Sequence, residues 1–375
     1  MWSWWRDMEI KQWKDILHIV SGKNQKAVEN PNGKYPIYGS GGLMGYADDY
    51  LCEAGTTIVG RKGTINRPIF VTEPFWNIDT AFGITPDKGL VPKYLYYFCV
   101  HFNFMPLDKS TGRPSLAKSD LLKIEMPVPP LPEQERIVAR IEELFSQLDA
   151  GVETLKKTKA QLAVYRQAVL KEAFSCCAEK KSIREMSSIV TSGSRGWAKY
   201  YCDNGAKFIR IGNLTRNKIY IDLDDIQHVQ LPDKAEGTRT MLAPNDVLVS
   251  ITADLGSIGL VPNGIGEAYV NQHIAMIRFN NQMQGEFYAW YLRSEYGQQD
   301  LLRNKRGGGK LGLGLDDIRD SRVPVVSNET AESILSIIEC RLSVCDSIEH
   351  TVDLALQQAE AMRQSILKDA FEGRL

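Results

Sequence analysis

Three short basic segments interrupted by glycine could bind phosphate. GRKGTINR carries Arg61, Lys62 and Arg67, and KSTGRPSLAK carries Lys109, Arg113 and Lys118. RNKRGGGK carries Arg303, Lys305, Arg306 and Lys310. Loops of this composition can place backbone amides and cationic side chains on phosphate oxygens. The sequence therefore indicates contacts with a nucleic-acid backbone, and the alternative is a set of solvated flexible loops.

Polar residues that could contact base edges cluster in the second half of the chain. FIRIGNLTR and SITADLGS place them at strand ends and turns, and the candidates are Arg210, Asn213, Thr215, Arg216, Thr252 and Asp254. Side chains of these types can form hydrogen bonds with bases in the major groove. The triplet NQH at 271–273 has suitable chemistry, but its apolar setting, shared with NID at 77–79, favours a structural role in satisfying backbone groups.

The sequence contains no clear catalytic motif. RGGGKLG lacks the glycine spacing and the Ser or Thr of a phosphate-binding loop. No Asn/Asp-Pro-Pro-aromatic tetrapeptide of amino-methyltransferases occurs, and the five histidines are scattered without a nucleophile or a metal-ligand pattern. A stand-alone enzyme is disfavoured and no metal site is predicted.

Length and composition allow two ordinary globular domains. The chain has 375 residues, of which 43% are hydrophobic, and its formal net charge of -1 disfavours a uniformly basic DNA-coating protein. Residues 1–131 and 181–327 are each slightly basic and 328–375 are acidic, so cations that face DNA must be clustered. The seven cysteines show no disulfide or zinc spacing and indicate reduced thiols in the cytoplasm. No stretch approaches the roughly 18 apolar residues of a membrane span.

The chain repeats itself at an offset of 197 residues. RQAVLKEAF at 166–174 returns as RQSILKDAF at 363–371, and the likeness extends over 132–175 and 329–372. In both copies apolar residues recur at alternating spacings of three and four, which is the heptad pattern of a coiled coil. The predicted seam consists of Leu148, Gly151, Leu155, Thr158, Leu162, Tyr165 and Val169 in the first copy and of Cys345, Ile348, Val352, Ala355, Ala359, Met362 and Ile366 in the second.

Two helices of about 60 Å would each expose an apolar stripe unless they packed on each other. A pair of core helices in an ordinary domain is the alternative. Pro132 fits the first turn of the first helix, and Ser327 or Asn328 can cap the second.

The repeat divides the chain into four parts. Residues 1–131 and 181–327 are globular, with runs such as TTIVG, DVLVSI and IAMIRF that predict strands, and 132–180 and 328–375 are helical. The predicted fold class is α+β, with two globular α/β domains separated by two long helices. These helices form an antiparallel coiled coil, and the whole has an internal pseudo-two-fold repeat.

PPLPEQERIVARIEELFSQLD followed by LKEAF resembles the helical region of the DNA-specificity subunit of type I restriction-modification systems. YPIYGSGGLMGY, IVGRKGTINRP and FWNIDTAFG resemble parts of the first target recognition domain of that family. FIRIGNLTR, DVLVSITADLGSIG and VNQHIAMIR resemble parts of the second. The resemblance covers nearly the whole chain in the order of the family.

This resemblance implies a non-catalytic subunit in which each target recognition domain reads one half of an asymmetric, interrupted DNA site. The paired helices set the distance between the halves and dock methyltransferase subunits, expected to be two. S-adenosylmethionine is expected in those partners, ATP and magnesium in restriction subunits that can join, and no cofactor in this chain. The predicted DNA-binding residues are those of the three basic segments together with Arg210, Asn213, Thr215, Arg216 and Thr252.

A duplicated binding unit on a rigid spacer agrees with this, because it reads two unlike half-sites at a fixed separation. One alternative is the recognition half of a fused or type II-like restriction-methyltransferase, which the Met1 start and the four-part layout disfavour. Another is a coiled-coil scaffold that binds only protein, which salt-dependent DNA affinity would exclude.

The repeat also predicts that FEGRL at the C-terminus returns close to the N-terminal domain. Arg140, Lys156 and Lys171 are candidates for partner contact on exposed helix faces.

Overall fold

The computed structural model describes residues 9–216, 218–231, 239–303 and 312–375. The chain divides into two compact units: unit 1 comprises residues 1–156 and 353–375, and unit 2 comprises residues 157–352. Each long helix crosses this division. Unit 1 therefore contains the start of the first long helix and the end of the second, and unit 2 contains the remaining parts.

The globular part of unit 1 is built on small sheets. Its elements are β1 (Glu9–Gln12), β2 (Leu17–Ser21), β3 (Tyr35–Gly39), β4 (Gly42–Ala47), β5 (Thr56–Gly60), β6 (Ile69–Val71), β7 (Trp76–Asn77), β8 (Ala81–Pro86), α1 (Pro92–His101), α2 (Lys118–Leu121) and β9 (Glu125–Val128). An antiparallel sheet has the order β2-β8-β5-β6. Strand β3 pairs antiparallel with β4 and parallel with β7, and β1 pairs with β9. The glycine-rich YGSGGLMGY is thus a hairpin of β3 and β4.

The globular part of unit 2 has a matching layout. Its elements are β10 (Lys180–Ser182), α4 (Ile183–Met186), β11 (Ser187–Ser192), β12 (Tyr201–Cys202), β13 (Ala206–Ile209), β14 (Gln227–Val229), β15 (Val247–Ser250), β16 (Ile258–Leu260), β17 (Ala268–Val270), β18 (Ile274–Phe279), α5 (Gly285–Arg293), α6 (Glu295–Leu302), α7 (Leu315–Asp320) and β19 (Arg322–Pro324). The order β11-β18-β15-β16 reproduces β2-β8-β5-β6, and the parallel pair of β13 and β17 reproduces β3 and β7. The duplication seen in the sequence is therefore a duplication of fold.

The long helices are α3 (Leu131–Ala173) and α8 (Asn328–Phe371), of 43 and 44 residues. The side chain of Gln134, which is fully buried, accepts the amide of Val91 at 2.8 Å and donates to the carbonyls of Gly89 and Pro129. It thereby fixes the start of α3 on the globular part of unit 1. At the start of α8 the Ser327 hydroxyl accepts the amide of Thr330 at 3.3 Å, so Ser327 is the cap.

Ion pairs made twice explain why RQ-x-x-LK-x-AF is repeated. In unit 2, Arg166 of α3 bonds to Asp346 at 2.7 Å and to Glu349 of α8 at 2.8 Å. In unit 1, Arg363 of α8 pairs with Asp149 of α3. Since each arginine and each aspartate is 197 residues from its counterpart, the same contact forms within each unit. In both units this contact joins the two helices in an antiparallel sense.

The phenylalanine that ends each repeat anchors a helix end on its unit. In unit 2, Phe174 packs on Phe287 and Tyr291 with ring centroids 5.4 and 5.3 Å apart. In unit 1, Phe371 packs on Tyr94 and Phe98 at 5.2 and 5.4 Å. The C-terminal segment then continues to Leu375, whose carbonyl accepts from Arg136 at 3.1 Å. The predicted return of FEGRL to the N-terminal domain is confirmed, as is the predicted fold class.

Ten of the fourteen predicted seam residues are buried or half-buried, and four are exposed. Leu162, Val169, Cys345, Val352 and Ala359 are buried, and Leu148, Leu155, Thr158, Ala355 and Ile366 are half-buried. Gly151, Tyr165, Ile348 and Met362 are exposed, the last three by 47%, 40% and 53%. The inward positions beside the last three are those of the charged residues Arg166, Glu349 and Arg363, which pair between helices. A search for apolar residues passes over such positions, so these three seam positions were placed one residue too early.

Candidate nucleic-acid interface

Two of the basic loops meet in unit 1. The segment after β5 lies against the segment before α2 through hydrogen bonds from the Gly63 amide to the Pro114 carbonyl and from the Leu116 amide to the Arg61 carbonyl, both 2.8 Å. Lys62 forms an isolated antiparallel bridge with Ser115. These contacts bring Arg61, Lys62 and Arg113 together, and we call these three, with the exposed Arg67 of the same segment after β5, the basic patch.

The cations of the basic patch are available to a ligand. Lys62, Arg67 and Arg113 are exposed, and the guanidinium of Arg61 lies 5.7 Å from the ring centroid of Phe82. Within the described ranges, none of the four has a carboxylate within 4.0 Å. Gly63 has φ +85°, a left-handed backbone conformation that favours glycine over residues with a side chain.

Two other lysines of unit 1 that are predicted to contact phosphate have partners within the unit. The Lys109 ammonium bonds to Asp120 at 2.7 Å, and this hydrogen bond holds the pKa of the Asp120 carboxyl below its usual range. The Lys118 ammonium donates to the Ile19 carbonyl at 2.7 Å. The sequence could not separate these lysines from the basic patch because their partners lie on other elements.

Unit 2 repeats the loop junction with different chemistry. The Leu313 amide donates to the Ile251 carbonyl at 3.0 Å, and Thr252 forms an isolated bridge with Gly312. Ala253 has φ +58° where unit 1 has Gly63. Ile251 and Thr252 thus stand where unit 1 has Arg61 and Lys62, and at these two positions the same backbone presents neutral side chains.

Thr252 belongs to a hydrogen-bonded cluster with the NQH triplet. Its hydroxyl lies 2.8 Å from Nδ1 of His273, and Nε2 of Gln272 lies 2.7 Å from Nε2 of that ring. Asn271 Oδ1 accepts the His273 amide at 3.0 Å. If the Gln272 amide donates, the histidine is neutral with its proton on Nδ1, and the Thr252 hydroxyl hydrogen is left to point outward. This cluster can offer donors and acceptors to a base edge.

Asn213 is not a base contact. It is 4% exposed, its Oδ1 accepts the Arg210 amide at 2.8 Å, and its Nδ2 donates to the carbonyls of Asp222 and Asp225. Both N–H groups of the Asn213 side chain are already bonded within the chain, so the prediction that Asn213 contacts a base is wrong. Thr215 uses its hydroxyl to accept the Lys218 amide at 3.3 Å.

The remaining predicted residues of unit 2 lie next to carboxylates. Arg216 bonds to Asp254 at 2.5 Å, and this bond, followed by one from Ser257, holds the pKa of the Asp254 carboxyl below its usual range. Arg210 lies 3.5 Å from Asp225 beside a cavity of about 570 Å³. Arg303 lies 3.6 Å from Asp300. Lys305, Arg306 and Lys310 lie outside the described residues.

A cationic cavity in unit 2 was not predicted. It has a volume of about 240 Å³ and is lined in part by Lys159, Arg166, Arg216, Trp290 and Arg293. Burial, and then the charges of Arg166 and Arg216, lower the pKa of Arg293 to about 10. Arg293 is the single arginine in the apolar helix FYAWYLR, and nothing in the sequence distinguishes it from a solvated side chain.

The described part of the chain contains no group of three or more His, Cys, Asp or Glu side chains that could hold a metal ion. Among the same residues, no helix is long and apolar enough to cross a membrane. All seven cysteines are free thiols.

Comparison with known proteins identifies the family. The type I restriction modification DNA specificity domain matches residues 6–163 and again residues 178–358, so both copies of the repeat are recognised. The chain belongs to this specificity family. The family is the DNA-recognition subunit of type I systems, which confirms the predicted function class and the prediction that the chain is not their catalytic subunit.

Relatives of the specificity family match over most of their length. The chain is 36% identical to the type I restriction enzyme EcoDI specificity subunit of Escherichia coli over 409 aligned positions, which cover 99% of this chain and 88% of the relative. It is 24% identical to the EcoBI specificity subunit of Escherichia coli over 351 positions, covering 85% and 73%.

Solved structures share the fold of this specificity subunit. A chain from a study of complex assembly and conformational transition of the type I restriction-modification system superposes with a TM-score of 0.75 over 98% of both chains, at 15% identity. The HsdS subunit from Thermoanaerobacter tengcongensis gives a TM-score of 0.52 at 15% identity, over 98% of this chain and 97% of the other.

Proposed function

We propose that this chain selects the DNA site of a type I restriction-modification complex by reading two unlike half-sites, one with each globular part. The observation that carries this proposal is the loop junction present in both units. The backbone arrangement is the same, but unit 1 presents the cations of the basic patch and unit 2 presents Thr252 beside His273 and Gln272. Two junctions with the same backbone arrangement but different side chains would each recognise a different half of an asymmetric, bipartite DNA site.

The basic patch would contact phosphates. Its four cations have no carboxylate partner among the residues that the structure describes, so they can neutralise a DNA backbone without first breaking an ion pair. In unit 2, the hydroxyl of Thr252 and the nearby Gln272 amide supply the donors and acceptors that base edges require. Arg210 and Arg216 would have to exchange a carboxylate for DNA.

The paired helices would set the gap between the half-sites. A helix of 43 residues is about 65 Å long at 1.5 Å per residue, and half-sites one DNA turn apart are separated by about 34 Å. Contacts between α3 and α8 within each unit would stiffen the pair, and a stiff spacer would fix the separation better than a flexible linker could.

Catalysis would belong to partner subunits. We expect two methyltransferase subunits, which bind S-adenosylmethionine, to dock on the helices, and restriction subunits that use ATP and magnesium to join them. The exposed cations Arg140, Lys156 and Lys171 of α3 are candidates for these contacts. Arg140 is already paired with Glu143 at 2.7 Å and Lys171 with Glu295 at 3.0 Å, so Lys156 is the strongest of the three.

Sequencing of methylated sites tests the proposal. The chain would be expressed with its methyltransferase in cells without other adenine methylation. We expect one asymmetric motif consisting of two short specific halves and a gap of fixed length. An uninterrupted or palindromic motif would contradict the reading of two unlike halves, and methylation without the chain would show that it does not select the site.

A further inference from the structure

Unit 1 contains an apolar groove that the basic patch and the helix contacts do not use. The groove has a volume of about 500 Å³ and lies between β6, the start of α1 and the first turns of α3. Phe70, Val91, Pro92, Val138 and Ala139 form most of its walls, and Lys93 and Glu142 form an ion pair at its rim. Its floor is thus suited to an aromatic ring and its rim to a polar group.

Strand β6 beside the groove is the last strand of its sheet. The amide of Gly55 donates to the Val71 carbonyl at 2.8 Å, so the N–H and C=O of the neighbouring residue Phe70 point away from β5. Among the described residues, no hydrogen bond reaches these two groups. The edge therefore offers one donor and one acceptor to an added strand.

Unit 2 shows what fills the corresponding place. In unit 2 the Asn245 amide donates to the Val261 carbonyl at 2.9 Å, as the Gly55 amide donates to the Val71 carbonyl in unit 1. Val261 therefore corresponds to Val71, and the preceding residue Leu260 corresponds to Phe70. The amide of Leu260 donates to the Ile219 carbonyl at 2.8 Å, and its carbonyl accepts the Ile221 amide at 3.1 Å. Residues 219–221 thus add a parallel strand to β16.

Tyr220, in the middle of that added strand, lies over the start of α5. Its hydroxyl donates to Glu286 at 3.1 Å. Burial, followed by the charges of Glu286 and Glu339, raises the pKa of Tyr220 to about 12. In unit 1, Lys93 stands in the place of Glu286 and Glu142 in the place of Glu339, and the position of Tyr220 is the open groove.

We propose that the groove of unit 1 binds an extended segment of a partner protein that carries a tyrosine. The segment adds a parallel strand to β6 through the N–H and C=O of Phe70. Its tyrosine ring lies on Val138 and Ala139. Its hydroxyl donates to the carboxylate of Glu142, as the Tyr220 hydroxyl donates to Glu286 in unit 2. This interaction does not depend on the proposed reading of DNA.

A peptide copied from unit 2 tests the groove. The probe is labelled RNKIYIDLD, residues 216–224, titrated with the full chain and followed by fluorescence anisotropy. We expect binding, and we expect N-methylation of the amide that follows the tyrosine to weaken it about three- to tenfold, because that amide is the donor to Phe70. N-methylation of the tyrosine amide, which points away, is the matched control and should change little. Absence of binding, or equal loss from both methylations, would overturn the proposal.

A variant of the chain tests whether the peptide binds in the groove. Ala139→Arg fills the groove from α3 and should weaken peptide binding at least tenfold, whereas Ala150→Arg, at an exposed position of the same helix, should leave it unchanged. Equal affinity for the two variants would show that the peptide binds elsewhere and would overturn the proposal.

The natural occupant is identified by crosslinking. A photoreactive phenylalanine at position 139 is introduced into the full chain, and the complex assembled with its partner subunits is irradiated and digested. A crosslink to a tyrosine-containing segment of a partner subunit supports the proposal. A crosslink to residues 1–8 of the same chain, or to a second copy of the chain, would overturn it.

Discussion

At the scale of single residues, the cations of the basic patch lack the carboxylate partner that Lys109, Arg210, Arg216 and Arg303 have. Lys109 and Arg216 carry the same charge, but each is bonded to an aspartate, at 2.7 and 2.5 Å. A cation already paired gains less from a phosphate than an unpaired one, because the existing bond must be broken first. The patch should therefore dominate the salt dependence of DNA binding by unit 1.

Replacing Lys62 and Arg113 together by alanine should weaken DNA binding by the assembled complex to a similar degree for every sequence. The slope of log affinity against log salt concentration should become less steep by about 2, because each lost phosphate contact removes roughly 0.9. Affinity titrations from low to moderate salt measure this slope. Lys109→Ala is the control and should leave the slope unchanged. A double variant with the slope of the unmodified complex would show that the patch does not face DNA.

The ion pairs between the helices should be measurably coupled. Arg166 is half-buried and Asp346 is mostly exposed, so solvent screens the pair and we expect a coupling energy of about 0.5–1 kcal/mol. Denaturant titration of Arg166→Ala, Asp346→Ala and the double variant gives this energy as the non-additive part of the change in unfolding free energy. The Arg363 and Asp149 pair should give a similar value. Additive effects in both cycles would mean that the repeated arginine is kept for another reason.

At this scale the sequence identified candidate side chains by their residue type, but it did not identify the groups to which they form hydrogen bonds. Arg61, Lys62 and Arg113 could be named because a glycine-rich basic loop is a local pattern. The structural role of Asn213 could not, because the carbonyls of Asp222 and Asp225 that it bonds lie on a return segment whose path the local pattern does not define. Gln134 was missed for the same reason, since its partners Val91 and Gly89 come from the globular part.

At the scale of elements, each helix end is fixed by one aromatic contact. Phe174 inserts between Phe287 and Tyr291 of α5, and Phe371 lies against Tyr94 and Phe98 of α1. Both phenylalanines are almost fully buried. The end of a long helix would otherwise fray, so these contacts extend the rigid part of each helix to the globular part that it joins.

Phe174→Ala and Phe371→Ala should each lower the free energy of unfolding by roughly 3–5 kcal/mol, because each leaves a cavity among aromatic rings. Denaturant titration measures the loss. Tyr165→Ala, on an exposed face of α3, is the control and should cost less than about 0.5 kcal/mol. A small loss for either phenylalanine, comparable with the control, would contradict its role as an anchor.

Elements were predictable from the sequence where one pattern governs them. The lengths of α3 and α8 follow from uninterrupted heptads, and β5, β15 and β18 follow from short β-branched runs. The register of the helix pair did not follow, because Arg166, Glu349 and Arg363 hold inward positions through charge. The hairpin of β3 and β4 did not follow, because this glycine-rich segment lacks a β-branched run that would predict a strand.

At the scale of the whole molecule, duplication with divergence is the feature that links fold to function. The two units share strand order, loop junction and helix anchors, yet differ in the chemistry of the junction and in the edge of one sheet. The shared parts could be predicted because the offset of 197 residues repeats without gaps in the helices. The different parts could not, since side chains that select a DNA sequence or a partner need not follow any repeat.

Spacing of the half-sites by the paired helices is tested by lengthening both. One heptad inserted after Lys156 and one after Val352 keeps the inward positions in register and adds about 10 Å to each helix. At about 3.4 Å per base pair, this corresponds to about three base pairs. Methylated sites would be sequenced for the original and the lengthened chain with the same methyltransferase. We predict identical half-sites separated by a gap about three base pairs longer; an unchanged gap with intact methylation would contradict the role of the helices as the spacer.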